Sequence, residues 1–247
     1  HAPDAQLAAT LGLIDRVAAT LADAVRDADL VVLAAPVEAN VAFLRALPPL
    51  LAPAAIVTDV SSTKRSIIGA AAALGAARPR FVPGHPIAGS EHSGPRAARA
   101  DLFDGCACLL SPTAQTGPQA FERVAQLWRA LGARVFEIDA QRHDALFAAV
   151  SHWPHAVAFA LSAAVGGGEL ADDARRFAGA GLRDTTRVGA SSPELWAGIL
   201  LDNRDAVLAA SREFERQVSA IADAIEAGDR AALTALLAAG ARWRRTL

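Results

Sequence analysis

The 247-residue chain has no methionine and no tyrosine, and only two cysteines. Of its 24 lysines and arginines only Lys64 is a lysine. Two cysteines in a chain of this length exclude a disulfide framework and point to a reducing compartment. Charge is also scarce: 20% of residues are Asp, Glu, Lys or Arg, and the formal net charge is −2. That balance excludes a disordered, solvated chain and offers no basic block for nucleic acid or an anionic membrane surface. Arg, Asp or Pro interrupts each apolar stretch before the ~18 residues needed to span a bilayer. The first residues lack the basic start and apolar centre of a signal peptide. A cytoplasmic protein is expected, with no membrane and no nucleic-acid partner. Without an initiator methionine, His1 is not expected to mark where translation began.

What is present is apolar and patterned. Hydrophobic residues make up 53% of the chain, and about a quarter is alanine, well above ordinary usage. Asp29–Ala35 is a continuous apolar run ending at Pro36, the pattern of a strand buried on both faces. Ala54–Thr58, Arg80–Pro83, Cys106–Leu110 and Arg134–Ile138 repeat it. Helical spacing over 37–47, 63–74 and 118–131 separates them. Strands alternating with helices predict a parallel, doubly wound sheet. From Asp139 onward only helical patterns remain. The spacing predicts a helix over 144–165, bent at Pro154. A long helix is expected from Ser192–Pro193 to Gly228, with Trp196, Leu200, Val207, Phe214, Val218, Ile221 and Ile225 on one stripe. A last helix is expected over 230–242. The fold class read here is α/β plus all-α: a Rossmann-like sheet domain over 1–138, then a helical domain over 139–247.

Ligands of such sheets bind at the carboxyl ends of the strands. Three polar or Gly/Pro-rich segments follow strands there: Ala34–Glu38, Asp59–Lys64 and Gly84–Gly94. Topology brings them to one rim, where Ser62, Lys64 and His85 can share a crevice. Ser61 and Thr63 also read as helix N-caps. His85, between two glycine-rich turns, has no core to fill and reads as functional. In the helical half, Asp144, Ser151 and His155 lie 7 and 4 residues apart, a polar stripe in place of the Arg and Glu of a solvated face. His152 and His155 lack a third ligand, so no metal site is expected. Arg187, in the Gly-rich segment Phe177–Arg187, can grip a carboxylate; a surface ion pair with Asp184 is the plainer reading. Cys106 and Cys108 read as core packing.

The segments Gly84-His-Pro-Ile-Ala-Gly-Ser-Glu91, Val150-Ser-His-Trp-Pro-His155 and Arg183-Asp-Thr-Thr-Arg187, with Asp59-x-x-Ser-x-Lys64, resemble the prephenate/arogenate dehydrogenase family of tyrosine biosynthesis. The resemblance runs from about Leu11 to the C-terminus. Trp153 and Leu182 stand where the family commonly has Leu and an aromatic. The family's first βαβ segment, with its G-x-G-x-x-G turn, is not represented in these residues. The resemblance implies oxidative decarboxylation of prephenate, or of arogenate, with NAD or NADP. It implies His85 as general base and Ser62 as its hydroxyl-binding partner. Arg187 would bind a substrate carboxylate, with Ser151, His155 and Trp196 lining the pocket. Ser90, Glu91, Asp184 and Asp144 would sit at further pocket and supporting positions. Ala35, Pro36, Asp59 and Ser61 would flank the cofactor. It also implies a homodimer through the helical domain, in keeping with the striped helix.

Two other readings compete. A 3-hydroxyacid dehydrogenase shares the domain plan but carries a catalytic lysine on the long helix, where this chain has none. A cofactor-free binding or dimerisation protein is what the chain without a phosphate cradle implies.

Overall fold

The computed structural model describes residues 2–89 and 94–247. They divide into two compact units, 1–203 and 204–247.

In the first unit, β1 (Leu30–Leu33), β2 (Ile56–Asp59) and β3 (Phe81–Val82) pair in parallel in that order, with Leu33 beside Asp59. β2 and β3 are covered almost throughout, whereas on β1 Leu33 is buried and Val32 is exposed. Leu33, Leu44, Leu47, Val57, Ile67 and Phe81 close into one core against the helix Val37–Ala46. A second sheet holds β4 (Gly84–Pro86), β5 (Ala107–Leu110) and β6 (Arg134–Glu137). β5 and β6 are parallel, whereas β4 runs antiparallel to β5. The segment expected as a loop after the third strand therefore begins as a strand, and His85 stands opposite Leu109 on it. Val82, Cys108, Leu110, Val124 and Trp128 form the core beneath, under the helix Pro118–Ala130. Cys108 is buried there and Cys106 half-buried, both as free thiols.

Three helical expectations change. Residues 63–74 are not one helix: an α-helix spans Arg65–Ala70, and 3-10 turns continue over Ala71–Arg80. Gly75, at φ +53°, breaks the path there, in a conformation that side chains with a Cβ disfavour. The second change is in the helix carrying Asp144. It runs from Ala140 to Gly166 with a π turn at Ala148–His152, directly before Pro154. Proline has no N–H for the Val150 carbonyl and its ring crowds that oxygen; the wider turn takes up the mismatch. Among the described residues this is the one helix long and apolar enough to cross a membrane by length and composition. The reading of interrupted apolar stretches missed it. The helix buries His143, Asp144 and His152.

The third change is the long helix from Ser192. Ser192 Oγ accepts from Leu195 N as expected of an N-cap, but the helix ends at Asp202 and a second one spans Arg204–Glu226. The break falls at Asn203, with neither Gly nor Pro to announce it. Its buried amide leaves the helical path to donate to the Asp144 carbonyl at 2.7 Å and to meet His152 Nδ1 at 3.1 Å.

The second unit is the helix Arg204–Glu226 and the helix Arg230–Arg244, joined through Gly228 at φ +64°. Asp229 caps the last helix by accepting from Ala232 N at 2.9 Å. Phe214, Val218 and Ile225 are exposed along the longer helix.

Candidate active site

A cavity of about 490 Å³ opens at the carboxyl end of β2. Ser62 and His85 line it from the sheet side; Ser151, His155, Arg187 and Trp196 line it from the helical side. Six candidate residues, separated by up to 134 positions in the chain, thus share one wall-to-wall space. A larger hollow of about 660 Å³ beside Ser66 and Asp202 contains none of them.

Behind His85 lies a chain of hydrogen bonds that sets its tautomer. Asp144 Oδ1 and Oδ2 accept from the amides of Lys64 and Arg65 at 2.8 and 3.0 Å. The carboxylate has no proton of its own, so the 2.8 Å contact from His143 Nδ1 is an N–H donated to Oδ1. His143 Nε2 is then an acceptor, and at 2.9 Å it receives the N–H of His85 Nδ1. By elimination His85 Nε2 carries a lone pair, as a general base requires. Phe147 holds both rings, stacked on His143 and tilted against His85 with centroids 4.6 and 4.7 Å away.

Electrostatics keep this lone pair available. Burial pushes His85 well below the usual histidine range, and the charges of Lys64, His143 and His152 add to it. Burial likewise lowers His143, against the pull of Asp144. For Asp144 burial alone would raise the carboxyl; the hydrogen bonds from His143, Arg65 and Lys64 outweigh it and hold the group ionised. His152, also buried, falls to about 4.

The strand end is fastened by a buried ion pair. Lys64 Nζ, fully buried, donates to Asp59 Oδ2 at 2.6 Å and to the Gly84 carbonyl at 2.5 Å. Asp59 in turn accepts from Gly84 N at 3.1 Å and Ser61 N at 2.9 Å. Gly84 must be glycine, because a Cβ there would meet the Asp59 carbonyl oxygen at 2.8 Å. Asp59 is wholly inaccessible, so its side chain braces the loop and cannot itself touch a ligand. A neighbouring residue, Asn40, ties the first two loops together. Its Oδ1 accepts from Ala35 N, and its Nδ2 donates to the Ala35 carbonyl and to Ser61 Oγ. Pro36 starts the helix on the same loop.

On the helical side His155 donates Nδ1–H to the Ser151 carbonyl at 2.9 Å and stacks on Trp196 with centroids 3.6 Å apart. Burial lowers its pKa, with Arg187 contributing. Asp144 does not join Ser151 and His155 on one stripe: the π turn shifts the helical phase between them, and Asp144 lies buried behind His143. Asp184 is exposed on the helix Ala180–Thr186 and does not line the cavity. Ser90 and Glu91 lie outside the described residues. Among the described residues no group of three His, Cys, Asp or Glu is placed to hold a metal ion.

Sequence reasoning missed His143, His152 and Asn203 as parts of this arrangement, and left Lys64 without a partner. The available signal was His143 itself, adjacent to a polar residue already singled out.

Residues 1–137 match the family described as "Prephenate dehydrogenase, nucleotide-binding domain", and residues 139–239 match "Prephenate dehydrogenase, dimerization domain". The chain belongs to the prephenate dehydrogenase family. It is 37% identical to the cyclohexadienyl dehydrogenase of Zymomonas mobilis over 226 residues, covering 90% of this chain and 76% of that protein. It is 36% identical to the prephenate dehydrogenase of Bacillus subtilis over 221 residues, covering 89% of this chain but 60% of that one. The crystal structure of prephenate dehydrogenase from Aquifex aeolicus in complex with hydroxyphenyl propionate and NAD+ superposes with a TM-score of 0.91 at 31% identity. That match covers 100% of this chain and 86% of the solved one. The Rossmann-like sheet followed by helices is therefore this family's fold.

Proposed function

We propose that the chain oxidises and decarboxylates prephenate to 4-hydroxyphenylpyruvate in tyrosine biosynthesis, using NAD or NADP. The observation that carries this reading is the relay from Asp144 through His143 to His85, which leaves a basic Nε2 in a cavity that also holds Arg187. The names of the Bacillus and Aquifex relatives support it, as does the bound pair in the latter, a hydroxyphenyl carboxylate and NAD+.

His85 Nε2 takes the C4 hydroxyl proton as hydride leaves C4, and the carbon–oxygen bond becomes a carbonyl. The bond from C1 to its carboxylate then breaks; CO2 departs and the electron pair flows into the ring. The resulting phenolate takes the proton back from His85. Aromatisation drives the step, so the protein mainly positions the ring and manages one proton. Ser62 hydrogen-bonds the same hydroxyl, and Arg187 holds a carboxylate. Ser151, His155 and Trp196 line the ring, with Asp144 in support. Ser90, Glu91 and Asp184 keep pocket roles only by family likeness.

A bound nicotinamide supplies the hydride acceptor. The loops tied by Asn40 fit its ring end, placing Ala35, Pro36 and Ser61 beside Ser62. The glycine-rich turn that would grip the pyrophosphate is not among these 247 residues.

Prephenate is put before arogenate on the names of the Bacillus and Aquifex relatives, with Arg187 in the lining as a guanidinium for a carboxylate. Comparing kcat/KM for the two substrates, with each cofactor, tests this: a higher value for arogenate reverses the preference, and no turnover of either removes the function. We further propose a domain boundary at Asp139, a cytoplasmic location, and a homodimer through residues 139–247. A monomer by light scattering at micromolar concentration would contradict the last.

A further inference from the structure

We propose that Lys64 is the positioning residue of the His85 base: its ammonium fixes the strand that presents the ring, and its amide fixes the carboxylate that orients it. This rests on the role of His85 proposed above. The two contacts leave Lys64 in different directions. The side chain reaches 20 positions forward to the Gly84 carbonyl, one residue before His85. The backbone N–H reaches 80 positions forward to Asp144 Oδ1, the end of the relay. One residue therefore closes a ring of contacts with His85 at its far side. A shift of the Lys64 turn would displace both the histidine's backbone and its tautomer-setting partner.

The identity of the residue fits the task. This is the chain's single lysine, and it is fully buried in a protein that otherwise uses arginine. A lysine delivers a compact charge with three separately aimed donors, where arginine would bring a planar fork. The Gly84 oxygen and Asp59 Oδ2 take two of those donors from different sides. No substrate reaches the ammonium, so Lys64 acts only through what it holds.

Its charge has a second consequence. The groups facing His85 are Lys64 and Asp59 at the end of β2, His143 and Asp144 on the helix, His152 in the π turn, Cys108 on β5 and Arg187 across the cavity. Cys108 is pushed up to about 12 by burial and stays neutral. Burial lowers Lys64 below the usual lysine range while Asp59 favours its charge, and as an ammonium it opposes protonation of His85.

The test uses two paired variants that leave no buried charge unpaired: Asp59→Asn with Lys64→Met, and Asp59→Asn with Lys64→Gln. The first removes the donor to Gly84; the second keeps a neutral donor. Folding is checked by circular dichroism, and His85 is titrated by NMR of ring-labelled histidine alongside prephenate turnover. With methionine, kcat should fall about tenfold or more with KM within about twofold. With glutamine, much of kcat should return. In both, the NMR midpoint of His85 and the acid limb of kcat/KM should rise together by about one pH unit. Equal kcat in the two folded variants would overturn the positioning role; an unmoved midpoint would overturn the charge effect. Should the methionine variant not fold, an unmoved midpoint in the glutamine variant overturns the charge effect, and wild-type kcat in Lys64→Arg, whose planar fork cannot aim its donors as lysine does, overturns the positioning role. A wild-type protein without turnover would remove the proposed function, while the NMR titration would still report on Lys64.

Discussion

The two walls of the cavity are held in different ways. Around His85, Asp59 and Lys64 at the strand end and His143 and Asp144 on the helix behind it are buried, and each is tied by at least two hydrogen bonds. On the helical side, His155 keeps one bond to its own helix and a stacking contact with Trp196. The difference matches two tasks. A group that must take a proton works best when its tautomer and direction are set beforehand, since reorganisation then costs nothing during reaction. Groups that capture a flexible carboxylate can adjust as it arrives. Damage to the first wall should therefore appear in kcat, and damage to the second in KM.

The sharpest test is His85→Gln, which keeps a hydrogen-bonding side chain but no base. Its kcat should fall about 10²–10⁴-fold with KM nearly unchanged in initial-rate kinetics; a change in KM alone would erase the distinction between walls. Asp144→Asn comes next. An amide cannot accept from His143 and from both backbone amides at once, so the tautomer order is disturbed, with an expected loss of about 10²–10³ in kcat. On the opposite wall, Arg187→Gln should raise KM about 10–100-fold, the worth of a charged hydrogen bond or two, and leave kcat within a few-fold. The last effect concerns stability rather than rate. His152 falls to about 4 when folded, against ~6.5 unfolded. Its neutral form is favoured by folding, so its contribution is complete above pH 6.5 and is lost as the pH falls toward 4. About 3 kcal/mol is at stake there. Urea unfolding of wild type and His152→Gln between pH 7 and 4 should show the wild type losing more. Parallel losses would mean that His152 is not the group that acid attacks.

This contrast also explains what could be read from the sequence. The strands were legible because their runs are continuously apolar, as at Leu30–Leu33, although Val32 on that strand is exposed in the fold. Arg187 and His155 were legible as polar residues on apolar or glycine-rich ground. The bracing was not. Lys64 meets Asp144 across 80 positions and His85 meets His143 across 58, and no local spacing announces either pairing. Asn203 interrupts a helical stripe through a side-chain bond to a carbonyl 59 residues earlier, so propensity alone predicts continuity. Asp59, expected beside the cofactor by family likeness, braces its loop, a role that only burial and its contacts make visible.

The π turn at Ala148–His152 carries a consequence for how this site tolerates change. A π turn amounts to one residue inserted into an α-helix, and each residue of an α-helix advances the path by about 100°. Deleting any single residue between 148 and 152 would keep the helix apolar, capped and nearly as long. It would also let the turn close to an ordinary α turn, so that His143 and Asp144 before it and His155 after it keep their relative phase. An added residue wound as α-helix would instead turn His155 relative to His143 by more than a quarter of a circle, so on this stretch added length would be felt where a single lost residue is absorbed.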